Sequence, residues 1–168
     1  MIHRAKTIQD GKWITGKYIE TVPPYSYIIT KEQLRKSKSP LYPDDDNVTS
    51  ITVDAIRVMG NTVGRCSDVS DLNDKMIFEG DIVRFFGMIG EVVYESGAFG
   101  IGCNKTIDYS VLEKNIPYAN NPYFCYNDNF ISLWELIWNF GHTDNPFICD
   151  AVEVIGNKYD NPKLLLTR

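Results

Sequence analysis

Two carboxylates stand close together in the stretch Met76–Ile101, around which the predicted fold is organised. Glu79 and Asp81 share one side of an extended chain, because side chains alternate with a period of two along a strand. A carboxyl pair can act as general acid and base when its two environments push the two pKa values apart. The sequence places no His, Cys or third carboxylate beside this pair. We therefore interpret both residues as turn and strand-end residues.

Cysteine and histidine offer a second route to catalysis. A nucleophilic site would need Cys103 or Cys149 within hydrogen-bond reach of His142. The four cysteines are widely spaced and form no C-x-x-C pair, a pattern that does not fit a zinc site. We therefore predict free, mostly buried thiols, no metal or other cofactor, and no enzymatic activity.

The aromatic residues between 118 and 140 could form a binding surface. Tyr123, Trp134 and Trp138 are the candidates, and exposed aromatics can stack on unpaired bases or anchor a protein interface. A base-stacking platform also needs a basic groove, whereas residues 62–168 carry 8 Lys and Arg against 15 Asp and Glu. We therefore interpret these aromatics as core or as a protein or subunit interface.

Nucleic-acid binding remains the alternative to a protein interface. It would require the predicted strands around Arg57, Arg65 and Arg84 to converge into a basic stripe despite the formal net charge of −5. The acidic C-terminal part of the chain argues against a broad contact with a phosphate backbone.

Strands dominate the predicted elements. Asp10-Gly11 predicts a hairpin turn between His3–Lys6 and a strand that begins at Trp13. Three short strands, separated by glycine-containing turns, are predicted within Met76–Ile101. Between them, Thr30 and Gln33 have the spacing of a capping box and predict a helix of one or two turns.

A helical, aromatic lobe is predicted at about 103–149, inserted before a final strand at 151–157. Within it, Ser132 is the best capping residue of the chain, and the helix that it starts should run from Leu133 to Phe140 and end at Gly141. Its apolar residues lie nearly all round, which predicts a helix that is buried on most sides.

These elements predict an α+β, β-rich fold in a single domain that spans 1–168. Its β-rich part comprises 1–101 and 151–168, and it forms either small bent antiparallel sheets or a small SH3-like barrel. Hydrophobic residues make up 43% of the chain, yet no run reaches the roughly 20 apolar residues of a membrane span. The first residues show no apolar signal-peptide core, so we predict a cytoplasmic protein without membrane contact.

Four motifs that occur in order along the chain resemble the YopX protein family. The matching segments are Thr62-Val63-Gly64, Phe78-Glu79-Gly80-Asp81-Ile82-Val83, Gly90–Glu95 with Gly97–Ile101, and Glu153–Asn157 with Tyr159–Pro162. The resemblance covers essentially the whole chain. It implies a protein of bacteriophages, prophages and other mobile elements that acts in the cytoplasm of the bacterial host, and it brings no established activity.

Together these observations favour a non-catalytic phage accessory protein that binds a host or phage protein. A nucleic-acid-binding module is the alternative, and an enzyme is the least favoured class. The apolar helix at 133–140 is also compatible with a homo-oligomer.

Overall fold

The computed structural model describes residues 1–22, 25–36, 49–115, 126–127 and 129–166. The chain divides into two compact units, Met1–Arg65 and Cys66–Arg168. Each is built on antiparallel strands, so the predicted β-rich α+β class is confirmed. Among the described residues no set of strands closes into a barrel, and the SH3-like alternative is not confirmed.

The first unit is a meander of four strands. Its order is β4-β3-β2-β1, and Gly64 and Arg65 at the start of a fifth strand pair with the free side of β1. A small core lies between Ala5, Ile28 and Val58. The strands are β1 (His3–Lys6), β2 (Trp13–Thr21), β3 (Tyr25–Lys36), β4 (Thr49–Val58) and β5 (Gly64–Ser70).

The predicted hairpin at Asp10-Gly11 is confirmed. Gly11 has a φ of +67°, which glycine adopts without a Cβ clash. The Asp10 carboxylate accepts hydrogen bonds from the Thr7 hydroxyl and the Lys12 backbone N–H, and it pairs with the Lys12 ammonium at 2.9 Å. These contacts lower the pKa of Asp10 to about 2, with the Thr7 hydrogen bond as the largest cause.

The helix predicted after Thr30 is wrong, because β3 continues as a strand to Lys36. Its residues pair with β4 along the whole of that segment. The register shifts between Ile29 and Lys31, so Thr30 is the extra residue of a bulge, and its hydroxyl donates to the Asp54 carbonyl at 3.3 Å. Pairing with β4 satisfies backbone groups along this segment, and this outweighs the local capping signal.

The elements that follow β5 are β6 (Met76–Phe78), β7 (Asp81–Phe85), β8 (Met88–Glu95), β9 (Ala98–Gly102), α1 (Tyr109–Asn115), β10 (Tyr126–Asn127), β11 (Phe130–Ser132), α2 (Leu133–Phe140), β12 (Val152–Asn157) and a 3₁₀ turn (Pro162–Leu166). Six of these strands form an antiparallel sheet of order β10-β11-β9-β8-β7-β12 in the second unit. The stretch Met76–Ile101 holds four strands rather than the three predicted, because a short β6 precedes the turn at Gly80 and pairs with β5.

One face of this sheet packs on α1 and α2. Val83, Val92 and Ile101 from the sheet are fully buried against Leu112 of α1 and Leu136 of α2. The described residues of the segment 103–149 therefore supply core contacts and the two outermost strands at one side of the sheet, β10 and β11. None of the described helices is long and apolar enough to span a membrane.

The buried carboxylate of Asp71 links the C-terminal strand to a turn far away in sequence. One carboxylate oxygen accepts the backbone N–H groups of Asn73 and Lys75, each at 2.9 Å. The other accepts the N–H of Val154 in β12 at 2.8 Å. Asp71 is 0% exposed, so these three bonds replace its hydration shell.

Candidate interaction surface

Helix α2 presents two exposed tryptophans on one face. Trp134 is 63% exposed and Trp138 is 79% exposed, and their spacing of four residues places them side by side on the helix surface. The prediction that this helix is buried on most sides is therefore wrong within this chain, and cover by another subunit stays a prediction. Only Leu133 and Leu136 among its residues are buried.

Local signals and core contacts hold this helix in place. The Ser132 hydroxyl accepts the Trp134 backbone N–H at 3.2 Å, and the helix ends at Gly141, so both predicted ends are confirmed. At the other end, the ring of Phe140 packs edge-on against Phe86 with centroids 5.1 Å apart. The two tryptophans thus stand on a helix whose opposite side is fixed in the core.

Acidic residues outnumber basic ones around this helix and throughout its unit. Residues 66–168 contain 7 Lys and Arg against 15 Asp and Glu. Glu135 lies within α2, and the side chains of Asp144 and Asp150 just beyond it are 92% and 53% exposed. The exposed tryptophans therefore lie in a unit whose formal charge is negative.

The other predicted binding residues belong to elements other than α2 or lie outside the described residues. Tyr123 lies outside the described residues. The Arg57 guanidinium stacks 4.2 Å from the Tyr25 ring centroid, and Arg65 is half-buried in β5. Arg84 forms an ion pair with Glu153 at 2.8 Å across the β7–β12 pairing, which offsets its charge.

The candidate catalytic residues do not form a nucleophilic site. The His142 imidazole faces the carboxylates of Asp150 at 3.2 Å and Asp144 at 4.0 Å. Burial raises the pKa of the Cys149 thiol to about 11, and it does the same for Cys103. Both thiols are therefore held in the neutral form, which is a poor nucleophile.

The raised thiol pKa values predict slow alkylation of the native protein. At pH 8 a thiol of pKa 11 has a thiolate fraction about 100-fold below that of a thiol of pKa 9. We expect iodoacetamide to modify Cys103 and Cys149 at least about 100-fold more slowly in the native protein than in urea, with rates that rise as pH approaches 11. Mass spectrometry of the two peptides measures this. Native rates equal to those in urea at pH 8 would contradict it.

Asp81, the aspartate of the Glu79 and Asp81 pair, has a structural role. Asp81 is 1% exposed, and its carboxylate accepts the Phe78 backbone N–H at 2.9 Å across the turn that contains Gly80. Within the described ranges, no three His, Cys, Asp or Glu side chains group together as a metal site.

The sequence reasoning missed two features of the second unit. Asp71 directly follows Ser70 at the end of β5, and its neighbours along the chain give no signal of its burial. The structure also contains two adjoining cavities that share Cys103 and Asn104. Their walls come from segments far apart in sequence, so no local pattern indicates them.

In its described residues the chain is a small β-rich protein built from antiparallel strands, with two short α-helices packed on one face of the six-stranded sheet of the second unit. A family model described as YopX protein matches residues 3–166, nearly the whole chain. The chain therefore belongs to the YopX family, and the resemblance found from its motifs is confirmed. None of the curated proteins matches the chain.

Proposed function

We propose that this protein is a non-catalytic interaction module of a phage or other mobile element, and that it binds a host or phage protein in the bacterial cytoplasm. The observation that carries the proposal is the pair Trp134 and Trp138, exposed side by side on a helix that is fixed in the core. Exposed tryptophans on a rigid element are the residues that most often dominate the binding energy of protein interfaces.

The chemistry of the surrounding groups supports a protein rather than a nucleic-acid partner. Glu135 lies on the same helix, three residues before Trp138, and Arg84, one of the three candidate phosphate contacts, is already paired with Glu153. The phage setting rests on the family resemblance.

Replacing both tryptophans should abolish binding to the partner. We expect the double variant Trp134→Ala/Trp138→Ala to lose at least about tenfold of the partner that co-purifies with the tagged protein from bacterial lysate. Both side chains are largely solvent-exposed, so the urea unfolding midpoint should change little. Quantitative mass spectrometry of matched captures, with and without nuclease, measures the loss.

A matched control is Phe147→Ala, which removes an aromatic side chain that is 60% exposed outside α2. It should retain the partner. Equal recovery with the double variant would refute the tryptophan surface, and a partner lost on nuclease treatment would favour nucleic-acid binding and direct mutation to Arg57, Arg65 and Arg84. Light scattering of the wild type and the double variant would reveal a second copy of this chain as the partner.

A further inference from the structure

Two cavities that share Cys103 and Asn104 as lining residues form a groove in the second unit, separate in its lining residues from the tryptophan pair. The first cavity has a volume of about 220 Å³. Its aliphatic wall consists of Ile89 from β8, Ile107 from the segment before α1, and Leu164 and Leu165 from the 3₁₀ turn, and the polar residues Asn104, Lys105, Thr106 and Asp108 complete the lining. The aliphatic wall suits an aliphatic side chain.

The second cavity has a volume of about 230 Å³ and a polar, acidic lining. Glu91 and Glu95 project from alternate positions of β8, and the Phe130 ring lies over Gly100 of β9, where that glycine leaves room for it. Carboxylates next to an aromatic ring are the groups that bind an ammonium or guanidinium ion.

The two carboxylates of this cavity are not equivalent. Glu91 forms an ion pair with Lys158 of the same chain at 2.8 Å, whereas Glu95 is exposed at the end of β8. Glu95 is therefore the carboxylate that an incoming cation would meet. The amide oxygen of Asn104 supplies a further acceptor, because its nitrogen already donates to the Leu165 carbonyl at 3.0 Å.

The volumes of the two cavities and the lining residues that they share indicate the kind of ligand that they suit. Sites for whole drug-sized ligands have volumes of about 300–1,000 Å³, so each cavity here suits a single side chain. Because Cys103 and Asn104 line both cavities, the side chains that fill the two cavities would belong to residues close together in one bound peptide.

We propose that this groove binds an extended peptide segment of a partner protein, with an aliphatic side chain in the first cavity and a Lys or Arg side chain in the second. The proposal goes beyond the tryptophan surface and does not depend on it. Charge complementarity supports a basic segment, since the groove lies in the unit whose acidic residues outnumber its basic ones.

Capped peptides that contain one Leu and one Arg among glycines test the proposal. They are prepared in both orders with no, one or two intervening glycines, and binding is followed by the backbone amide shifts of Gly102, Cys103 and Asn104 in NMR spectra. We expect at least one peptide to bind with a dissociation constant below about 1 mM. Its Arg→Gln and Leu→Ser counterparts should bind at least about tenfold more weakly.

Two variants of the protein locate the site. A Cβ at Gly102 would meet its nearest atom, Val93 Cγ2, at 3.5 Å, so Gly102→Leu places a side chain in the second cavity without a backbone clash. This variant and Glu95→Gln should each weaken binding at least about tenfold, while Glu113→Gln, an exposed acid of α1, should leave it unchanged.

The proposal is overturned if no peptide shifts the three amide signals. It is also overturned if the wild-type protein binds the Arg→Gln peptide as tightly as the Arg peptide, or if the Glu95→Gln variant binds the Arg peptide as tightly as the wild type does. Its failure is distinguishable from that of the tryptophan surface. The variant Trp134→Ala/Trp138→Ala should bind the peptide as the wild type does, and Gly102→Leu should still capture the partner that the tryptophans bind.

Discussion

Replacing Asp71 by Asn should destabilise the protein by about 2–4 kcal/mol. An amide of the same shape keeps one acceptor oxygen, but its nitrogen carries only donors. The amide nitrogen of the variant would replace one of the two carboxylate oxygens. It would then oppose either the Val154 N–H or the N–H groups of Asn73 and Lys75 as a second donor, and no hydrogen bond could form there. Because the residue is fully buried, water cannot replace the lost acceptor. Urea unfolding followed by circular dichroism measures the change.

The matched control for this substitution lies in the same turn. Asp74 is exposed and has a φ of +59°, a backbone conformation that Asn tolerates well. Asp74→Asn should therefore change the free energy of unfolding by less than about 0.5 kcal/mol. A loss of similar size in both variants would show that net charge, and not the three hydrogen bonds of Asp71, explains the effect.

Replacing Gly16 by Ala should destabilise the first unit by about 3 kcal/mol or more. An added Cβ would overlap the Ile29 carbonyl oxygen of the neighbouring strand β3 and would lie 2.8 Å from Ile28 Cγ2. A backbone carbonyl in a paired strand cannot rotate away as a side chain can, so β2 and β3 would have to separate locally. Urea unfolding and amide hydrogen exchange of β2 and β3 measure this effect.

Gly102→Ala is the matched control, because it adds the same atom to a strand in the second unit where the nearest neighbour is at ordinary contact distance. We expect it to be neutral or to stabilise by up to about 0.5 kcal/mol, since alanine restricts the unfolded chain more than glycine does. If Gly16→Ala unfolded at the wild-type urea concentration, the close approach of β2 and β3 at this position would be disproved.

Signals that act within a few residues predicted their elements well. Asp10-Gly11 forms the hairpin turn, and Ser132 and Gly141 bound α2, because a turn or a cap depends mainly on the φ preference and hydrogen bonds of its own residues. The strand at 151–157 was likewise found, since its β-branched residues are bounded by turn residues.

The wrong predictions concern segments whose structure depends on contacts with residues far away in sequence. Thr30 has a capping signal, yet β4 supplies backbone partners to the segment after it, and the sequence of that segment alone does not reveal them. Trp134 and Trp138 are as apolar as the buried residues of α2, and only the position of the sheet decides which side of the helix is covered. The groove is lined by four segments that are separated in sequence, and it could not be predicted for the same reason.

The pairing of β7 with β12 also constrains how the protein is made. Arg84 and Glu153 face each other across this pairing although 69 residues separate them. At a ribosomal rate of about 5–20 residues per second, β7 waits roughly 3–14 s for its partner strand to be synthesised. During that interval one edge of β7 remains open and the Asp71 carboxylate lacks the Val154 N–H. The second unit therefore completes its sheet only after Val152–Asn157 has been synthesised, and until then β7 presents a strand edge of the kind that can pair with other chains.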